Sequence, residues 1–393
     1  MQRSADTQGV SLSLFYFFYF AIIGVQAPYW APYLKSLSFG AAEIGQLMAV
    51  LMVTKVFAPS IWGWIGDHYG GRMRLVRLGS LATLLIFAVV PFLRDFWPLA
   101  LTIAAYSFFW NAVLPQFEVI TLSRLGDQPH YYSRIRLWGS IGFTLMVLVV
   151  GVLVGEWGIA SVPWFMALAM LGMLLVSLWV EERPVAVAQE ETRGFRALLL
   201  RPDVLSFFIA SALMQVGHGP YYTFFSIYMA DQGHSSAIIG MLWALGVVAE
   251  IVLFWFMHRL MPRVGVKWLL LSALLLAALR WALLGLYPDN FTLVVLTQLL
   301  HAATFGSFHS ASIEYVRQSF GHAHAGQGQA FYSGISFGGG AALGALLSGY
   351  GWEWYGGGWT FIGASVVSLL AALLVWRCVG LCHYKSGNCC RGK

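Results

Sequence analysis

Residues 115–143 read PQFEVITLSRLGDQPHYYSRIRLWGSIGF and set two ionisable residues into runs that are otherwise oil. Glu118 lies in the first apolar run, Arg136 opens the second, and a short polar turn separates them. Two runs joined this way are expected to stand as antiparallel neighbours with the carboxylate and the guanidinium on facing helices. An ionisable side chain at mid-bilayer costs ~2.5–3.5 kcal/mol on insertion scales, so it persists where it meets a partner or an aqueous path. The stretch therefore predicts helical spans that carry a functional charge pair.

The rest of the chain agrees with that reading. Hydrophobic residues make up 59% of the 393 and charged residues 10%, a balance foreign to soluble domains. A helix needs ~20 apolar residues to cross the hydrocarbon. On that measure the spans fall near 12–34, 43–65, 75–93, 97–123, 135–155, 160–180, 204–230, 237–258, 267–287, 290–316, 328–350 and 358–379. Runs of this length fit helices and not the ~10-residue alternation of a membrane barrel. The first run has only Arg3 before it and no small-residue cleavage site after it, so it is expected to be a retained helix and not a signal peptide.

The formal charge of +6 does not point to nucleic acid, because the basic residues are spread over alternate short loops. With the N-terminus inside, Arg72, Arg74, Arg77, Arg124, Arg134, Arg183, Arg193, Arg196, Arg201, Arg259, Arg263, Lys267 and Arg317 all fall on the cytoplasmic side, while Lys35 and Arg94 fall outside. Both termini are then cytoplasmic, and the longest polar segment becomes a linker between halves. The expected division is a six-helix half over 1–180, a cytoplasmic linker over 181–203, a second half over 204–379 and a tail over 380–393.

The halves echo one another. At an offset of 195, Tyr33 matches Tyr228, Gly45 matches Gly240, Lys55 matches Glu250, Gly70 matches Gly265 and Arg72 matches Lys267. In the fifth and eleventh spans the offset is 200, aligning Tyr132-Ser133 with Tyr332-Ser333 and Gly139 with Gly339. A repeat of one six-helix unit in the same orientation predicts parallel halves with a solute site between them.

Within spans lie Lys55, Glu118, His218, Glu250, Arg280, His301, His309 and Glu314, with Arg136 just inside one. Lys55, His309 and Glu314 are equally well read as structural or snorkelling residues. A buried carboxylate is driven toward its neutral form by desolvation and toward its charged form by a nearby arginine, so Glu250 is the expected proton carrier. Arg136 and Arg280 can hold a carboxylate by bidentate hydrogen bonds. Tyr29, Trp30, Phe143, Tyr221, Tyr222 and Trp243 can pack a ring, though each also suits helix packing or an interfacial belt.

Other patterns carry less. Gly334-Ile335-Ser336-Phe337-Gly338 matches the hydrolase pattern G-x-S-x-G, but without a strand before it the glycines, continued by Gly340 and Gly344, are expected to pack helices. Cys378, Cys382, Cys389 and Cys390, with His383, gather at the end of the chain as expected free thiols. Neither a zinc-protease helix nor a nucleotide loop is present, so no enzyme, cofactor or metal is expected.

The segment from Gly63 to Arg74, GWIGDHYGGRMR, resembles the G-x-x-x-D-R-x-G-R-R loop of the major facilitator superfamily, with Gly63, Asp67, Gly70 and Arg72 in place and His68 and Gly71 departing. That likeness implies a conformational loop and says nothing of substrate. The PQFEVI segment followed by RLWG resembles the lactose permease family, in which a Glu, an Arg and a later aromatic bind substrate; Glu118, Arg136 and Phe143 match them. Glu250, Arg280 and His301 resemble that family's later site residues, but Thr304 stands where a carboxylate is expected. QVGHGPYYTFFSIY, GMLWALGVVAEIVLF and LLHAATFGSFH look still more like the 3-phenylpropionate permease family.

The resemblance implies an all-α major facilitator fold of twelve transmembrane helices in two pseudo-symmetric halves. It also implies a monomer in the cell inner membrane that couples a proton to uptake of a small aromatic carboxylate, with Glu118, Arg136, Phe143, Tyr221, Tyr222, Trp243 and Arg280 binding substrate and Glu250 and His301 handling the proton. The alternatives are a sugar or nucleoside symporter and, outside transport, a lipid-handling protein.

Overall fold

In the hydrocarbon every backbone N–H and C=O must be satisfied within its own segment, which leaves helices as the answer for apolar runs of this length. The computed structural model describes residues 2–126, 131–182 and 194–379, and these form an all-α bundle. Arg183, Arg193, most of the expected linker, and Cys382, His383, Cys389 and Cys390 lie outside the described residues. The first six crossings are α1 (Gln2–Ser36), α2 (Ala41–Tyr69), α3 (Arg72–Phe87), α4 (Phe96–Leu125), α5 (Tyr132–Trp157) and α6 (Val162–Trp179). A short helix, α7 (Phe195–Leu199), precedes α8 (Pro202–Asp231), α9 (Ser236–Val264) and α10 (Val266–Leu286).

The last three crossings run almost without interruption. α11 (Phe291–His301), a π-helical segment Ala302–Gly306 and α12 (Ser307–Ser333) form one rod that turns back at Gly321. A second π segment, Gly334–Gly340, leads into α13 (Ala341–Cys378), which turns back at Gly356, where φ is 78°. Only glycine adopts such an angle freely, so this residue separates the eleventh crossing from the twelfth. Among the described residues the chain thus crosses twelve times, as the apolar runs predict. α8 is the least apolar crossing, interrupted by Gln215, His218 and the tyrosine pair at 221–222.

Lipid-facing surface follows from composition. Trp97, Trp157, Trp164, Trp354 and Trp359 are exposed at the bundle end that carries Lys35, and Trp64, Tyr69, Trp179, Trp268 and Trp376 at the end that carries Arg72. Two such girdles mark the polar–apolar boundaries of a membrane. Inside, one apolar core gathers mainly residues of α1–α6 and another gathers residues of α8–α13.

The seam between these cores closes at the Lys35 end. Lys35 Nζ lies 2.7 Å from Asp231 Oδ1, the Ala42 amide donates to Glu353 Oε2 at 2.9 Å, Gln46 Nε2 donates to Tyr350 Oη at 2.9 Å and Tyr29 Oη to Ser236 O at 3.4 Å. Beneath them backbones meet through small residues, as they do wherever helices must approach closely in lipid. A Cβ on Gly45 would lie 2.7 Å from Ala345 O, and one on Gly349 would lie 2.8 Å from Ala41 O. Toward the Arg72 end the seam passes from α2–α13 to α2 and α12 and widens into a groove lined by Val56, Ser60, Phe195, Arg196 and Phe331.

Gly349→Leu is expected to hold the Lys35 end apart without unfolding either half. With the native cysteines replaced by serine, a Lys35→Cys/Asp231→Cys pair should cross-link severalfold more slowly when Gly349→Leu is added. Unchanged cross-linking would show that the glycine contact does not govern closure.

Candidate functional site

Pro115 sits inside α4, and Glu118 follows it one turn later; α5 opens at Tyr132 and brings Arg136 one turn in. The expected Glu118–Arg136 pair does not form. Glu118 Oε1 accepts instead from Tyr132 Oη at 3.3 Å, while the Arg136 guanidinium lies 3.9 Å from the ring centre of Phe20 and 5.6 Å from that of Tyr16. The physical reason is α1. It packs along α5 and sends Phe15 and Tyr16 against Phe117 of α4, so an aromatic wall stands between helices that are neighbours in sequence. Among the described residues no carboxylate lies within 4.0 Å of Arg136.

Across the seam the second half assembles a denser cluster. Glu250, half-buried on α9, places Oε2 3.8 Å from His301 Nε2. The other ring nitrogen, His301 Nδ1, meets Arg280 Nη1 at 3.0 Å, and the same guanidinium nitrogen donates to Thr304 Oγ1 at 3.2 Å. A guanidinium has no acceptor capacity, so His301 Nδ1 must accept here and carry its proton, when neutral, on Nε2, facing Glu250. Arg280 is wholly buried and lies between the rings of Tyr221 and Trp281, 4.3 and 4.4 Å from their centres. Its Nε and Nη2 have no partner among the described atoms.

The aromatic candidates converge on this cluster. Tyr221 Oη donates to Gln298 Oε1 at 2.8 Å and Trp243 Nε1 donates to Ser226 Oγ at 2.9 Å, which fixes both rings. Tyr222 lies 6.1 Å from Trp243, and Phe143 of α5 packs on the same apolar cluster, so both halves contribute to it. The Arg136 charge acts on Glu118 beside it and on Glu250 and His309 across the seam. The sequence-predicted residues therefore divide. Arg136, Phe143, Tyr222 and Glu250 are half-buried around the seam; Tyr221, Trp243, Arg280 and His301 form the buried wall behind it; Glu118 is bound to Tyr132 and feels the Arg136 charge without pairing with it.

Three other intramembrane charges find local answers or none. Glu314 is tied to Arg317 at 2.6 Å and to Gln318 at 2.7 Å near the end of its span, so it takes no part in the cluster. His309 Nδ1 meets Tyr332 Oη at 3.3 Å. Lys55 has no carboxylate within 4.0 Å among the described residues. The loop motif is formed as a unit: Gly70 and Gly71 take φ of 64° and 66°, and Arg72 binds both Asp67 and Gln116. Gln116 ties that loop to the stretch that carries Glu118. Sequence reasoning missed Gln298 and the rings of Tyr16 and Phe20 as partners, because each acts through a contact between distant segments; Tyr132 was missed because the same stretch offers Glu118 a charged partner, Arg136.

The model of the family described as "MFS_1 like family" matches residues 10–363. A probable 3-phenylpropionic acid transporter of Escherichia coli (strain K12) is 29% identical over 386 residues, covering 94% of this chain and 98% of the relative. A maltose permease of Geobacillus stearothermophilus is 26% identical over 371 residues, 92% of each chain. Among solved structures, the nucleoside transporter NupG superposes with a TM-score of 0.84 at 21% identity, covering 94% of this chain and 98% of that one.

A buried charge without a counter-charge is a load on the fold, and replacing it with a well-packed apolar side chain is often neutral or stabilising. Arg280→Met is therefore expected to melt no lower than the parent in detergent. The His301→Ala/Thr304→Val protein keeps the guanidinium but loses both its acceptors, and should lose about 1–3 kcal/mol. Thermal unfolding checks both, and a reversed order would show that the cluster stabilises the fold through Arg280 itself.

Proposed function

The chain belongs to the MFS_1 like family and is a transporter of the major facilitator type; from that premise we propose that it is a proton-coupled symporter of a small aromatic carboxylate resembling 3-phenylpropionate. The observation that carries this reading is Arg136: a guanidinium at the seam, stacked on Phe20, with no carboxylate within 4.0 Å among the described residues. Such a group offers a planar pair of donors to an incoming carboxylate. Phe143 and Tyr222 beside the seam supply ring faces. The likeness to a probable 3-phenylpropionic acid transporter over nearly the whole chain supports the same substrate class.

Coupling follows from the charge that Arg136 faces. While Glu250 is ionised, it attracts the guanidinium across the seam and competes with a substrate anion. Once Glu250 takes a proton, Arg136 is released to bind the carboxylate. Proton and substrate then favour each other's binding, and the coupling is reciprocal by linkage. His301, with Nδ1 engaged by Arg280, turns its Nε2 toward Glu250 at 3.8 Å, one step from proton exchange with the carboxyl.

Alternating access completes the cycle, with two halves, 1–180 and 204–379, rocking about the seam. We place the Lys35 end outside, following the distribution of basic residues. The described state is then closed to the outside and opens inward. The Asp67–Arg72–Gln116 contact joins the ends of α2, α3 and α4 and would act as the conformational loop. On this reading the protein is a monomer of the cell inner membrane with both termini cytoplasmic.

Labelled 3-phenylpropionate is expected to accumulate in proteoliposomes above its gradient-free level when an inward proton gradient is imposed. No accumulation with any aromatic acid would sink the proposal, and uptake of a nucleoside or maltose in its place would reassign the substrate. Arg136→Lys should abolish binding, because a point charge does not replace the planar fork. Glu250→Gln should retain exchange and lose uphill uptake; retained accumulation would move the proton elsewhere.

A further inference from the structure

The tenth crossing carries three rings at four-residue spacing, His301, Phe305 and His309, and the structure lays them nearly parallel. The His301 and Phe305 ring centres are 5.3 Å apart with planes 7° apart, and those of Phe305 and His309 are 6.2 Å apart with planes 10° apart. In a regular α-helix positions four apart drift by about 40° around the axis, so a column of three would wind off one face. The π segment Ala302–Gly306 adds a residue to its turn and takes up that drift. π segments recur at functional sites, where they re-aim side chains at a cost in local geometry.

The eleventh crossing answers with the second π segment. In Gly334–Gly340 the glycines press against other helices: a Cβ on Gly338 would lie 2.7 Å from Val56 Cγ2, and one on Gly340 would lie 2.7 Å from Ala212 O. Phe337, between them, turns to the column and meets Phe305 at 6.0 Å and 65° and His309 at 5.6 Å and 70°. Tyr332, buried behind, holds His309 through its hydroxyl at 3.3 Å. The outcome is a right-angled aromatic corner whose members Phe305, His309 and Phe337 are only half-buried. Arg136 lies within electrostatic reach of His309.

Two facing π segments that together aim rings at one corner are more than packing requires, since Leu or Val would fill the same volume without them. We propose that this corner is the ring subsite: a planar aromatic group of the substrate packs against the half-buried edges of Phe305 and His309 and against Phe337, while its carboxylate reaches Arg136. The substrate thereby spans the seam, ring in the second half and acid in the first. This rests on the transporter reading above and deepens it, because it assigns recognition of the ring to the Ala302–Gly306 segment, α12 and the Gly334–Gly340 segment, separately from the tyrosines of α8.

The test compares two acids of equal charge and similar bulk, 3-phenylpropionate and 3-cyclohexylpropionate, by competition for labelled 3-phenylpropionate uptake in proteoliposomes. Ring stacking beyond area burial corresponds to about a threefold to tenfold change in affinity. Phe305→Leu and, independently, Phe337→Leu should weaken the aromatic acid by that factor and leave the saturated acid within twofold, while Phe305→Tyr restores the preference. Each variant is first shown to melt like the parent; if one does not, the other decides. If both leave the aromatic-to-saturated ratio unchanged while the parent still accumulates 3-phenylpropionate, the subsite is overturned and the transport reading stands. If the parent carries no aromatic acid at all, both fall together.

Discussion

An ionised side chain inside the hydrocarbon must be answered by an opposite charge, a hydrogen-bond partner, a ring face or water, and the manner of each answer sorts this chain's charges by role. Arg72 and Glu314 are answered by formal ion pairs near the ends of their helices, where water shares the work and such pairs contribute little to stability. Glu118 is answered by a tyrosine hydroxyl. Arg280 is answered by a histidine, a threonine and two rings, which satisfies part of its fork and none of its charge. Arg136 is held by rings, with the Glu118 and Glu250 carboxylates beyond 4.0 Å among the described residues. Arg136 stands at the seam, where a carrier needs a group whose best partner arrives from solution.

How far this was legible in the sequence depends on the length scale of the constraint. Twelve crossings follow from run lengths, because lipid leaves a polar backbone no alternative to the helix. The repeat is equally legible. Lys55 and Glu250 fall at the same position in α2 and α9, both 29 residues long, and both helices end on glycines of positive φ, Gly70 and Gly265. The grouping of Glu250, Arg280 and His301 was legible as well, through resemblance. Thr304, read as a missing carboxylate, turns out to accept a hydrogen bond from the arginine that a carboxylate there would have faced.

What was not legible is which helix stands between two others. Glu118 and Arg136 belong to consecutive helices joined by a short turn, and sequence logic pairs them. The pairing fails because the rings of α1 fill the space between α4 and α5, a fact of three-dimensional packing that no spacing records. The π segments are illegible for a different reason. Each inserts one residue into a continuous helix and leaves no mark in composition, since a glycine-rich run such as GISFGGG serves equally for plain helix packing. Their trace is geometric, in rings held parallel where a regular helix would splay them.

The seam itself shows how such a fold can be both specific and mobile. Its closed end has the Lys35–Asp231 pair, whose side chains are about half exposed, and three further hydrogen bonds. An exposed pair is worth at most about 1 kcal/mol. The close contacts are glycine backbones set against one another. Alternating access, as proposed above, requires this joint to take a closed and an open state. Moving it from one to the other requires only that the ligand bind one state more tightly, by ~5.5 kcal/mol for a near-complete switch. On the function proposed above, a carboxylate engaging Arg136, together with a planar group packed against the other half, would supply such differential binding. It acts where the two halves face each other, and so on the joint it must move.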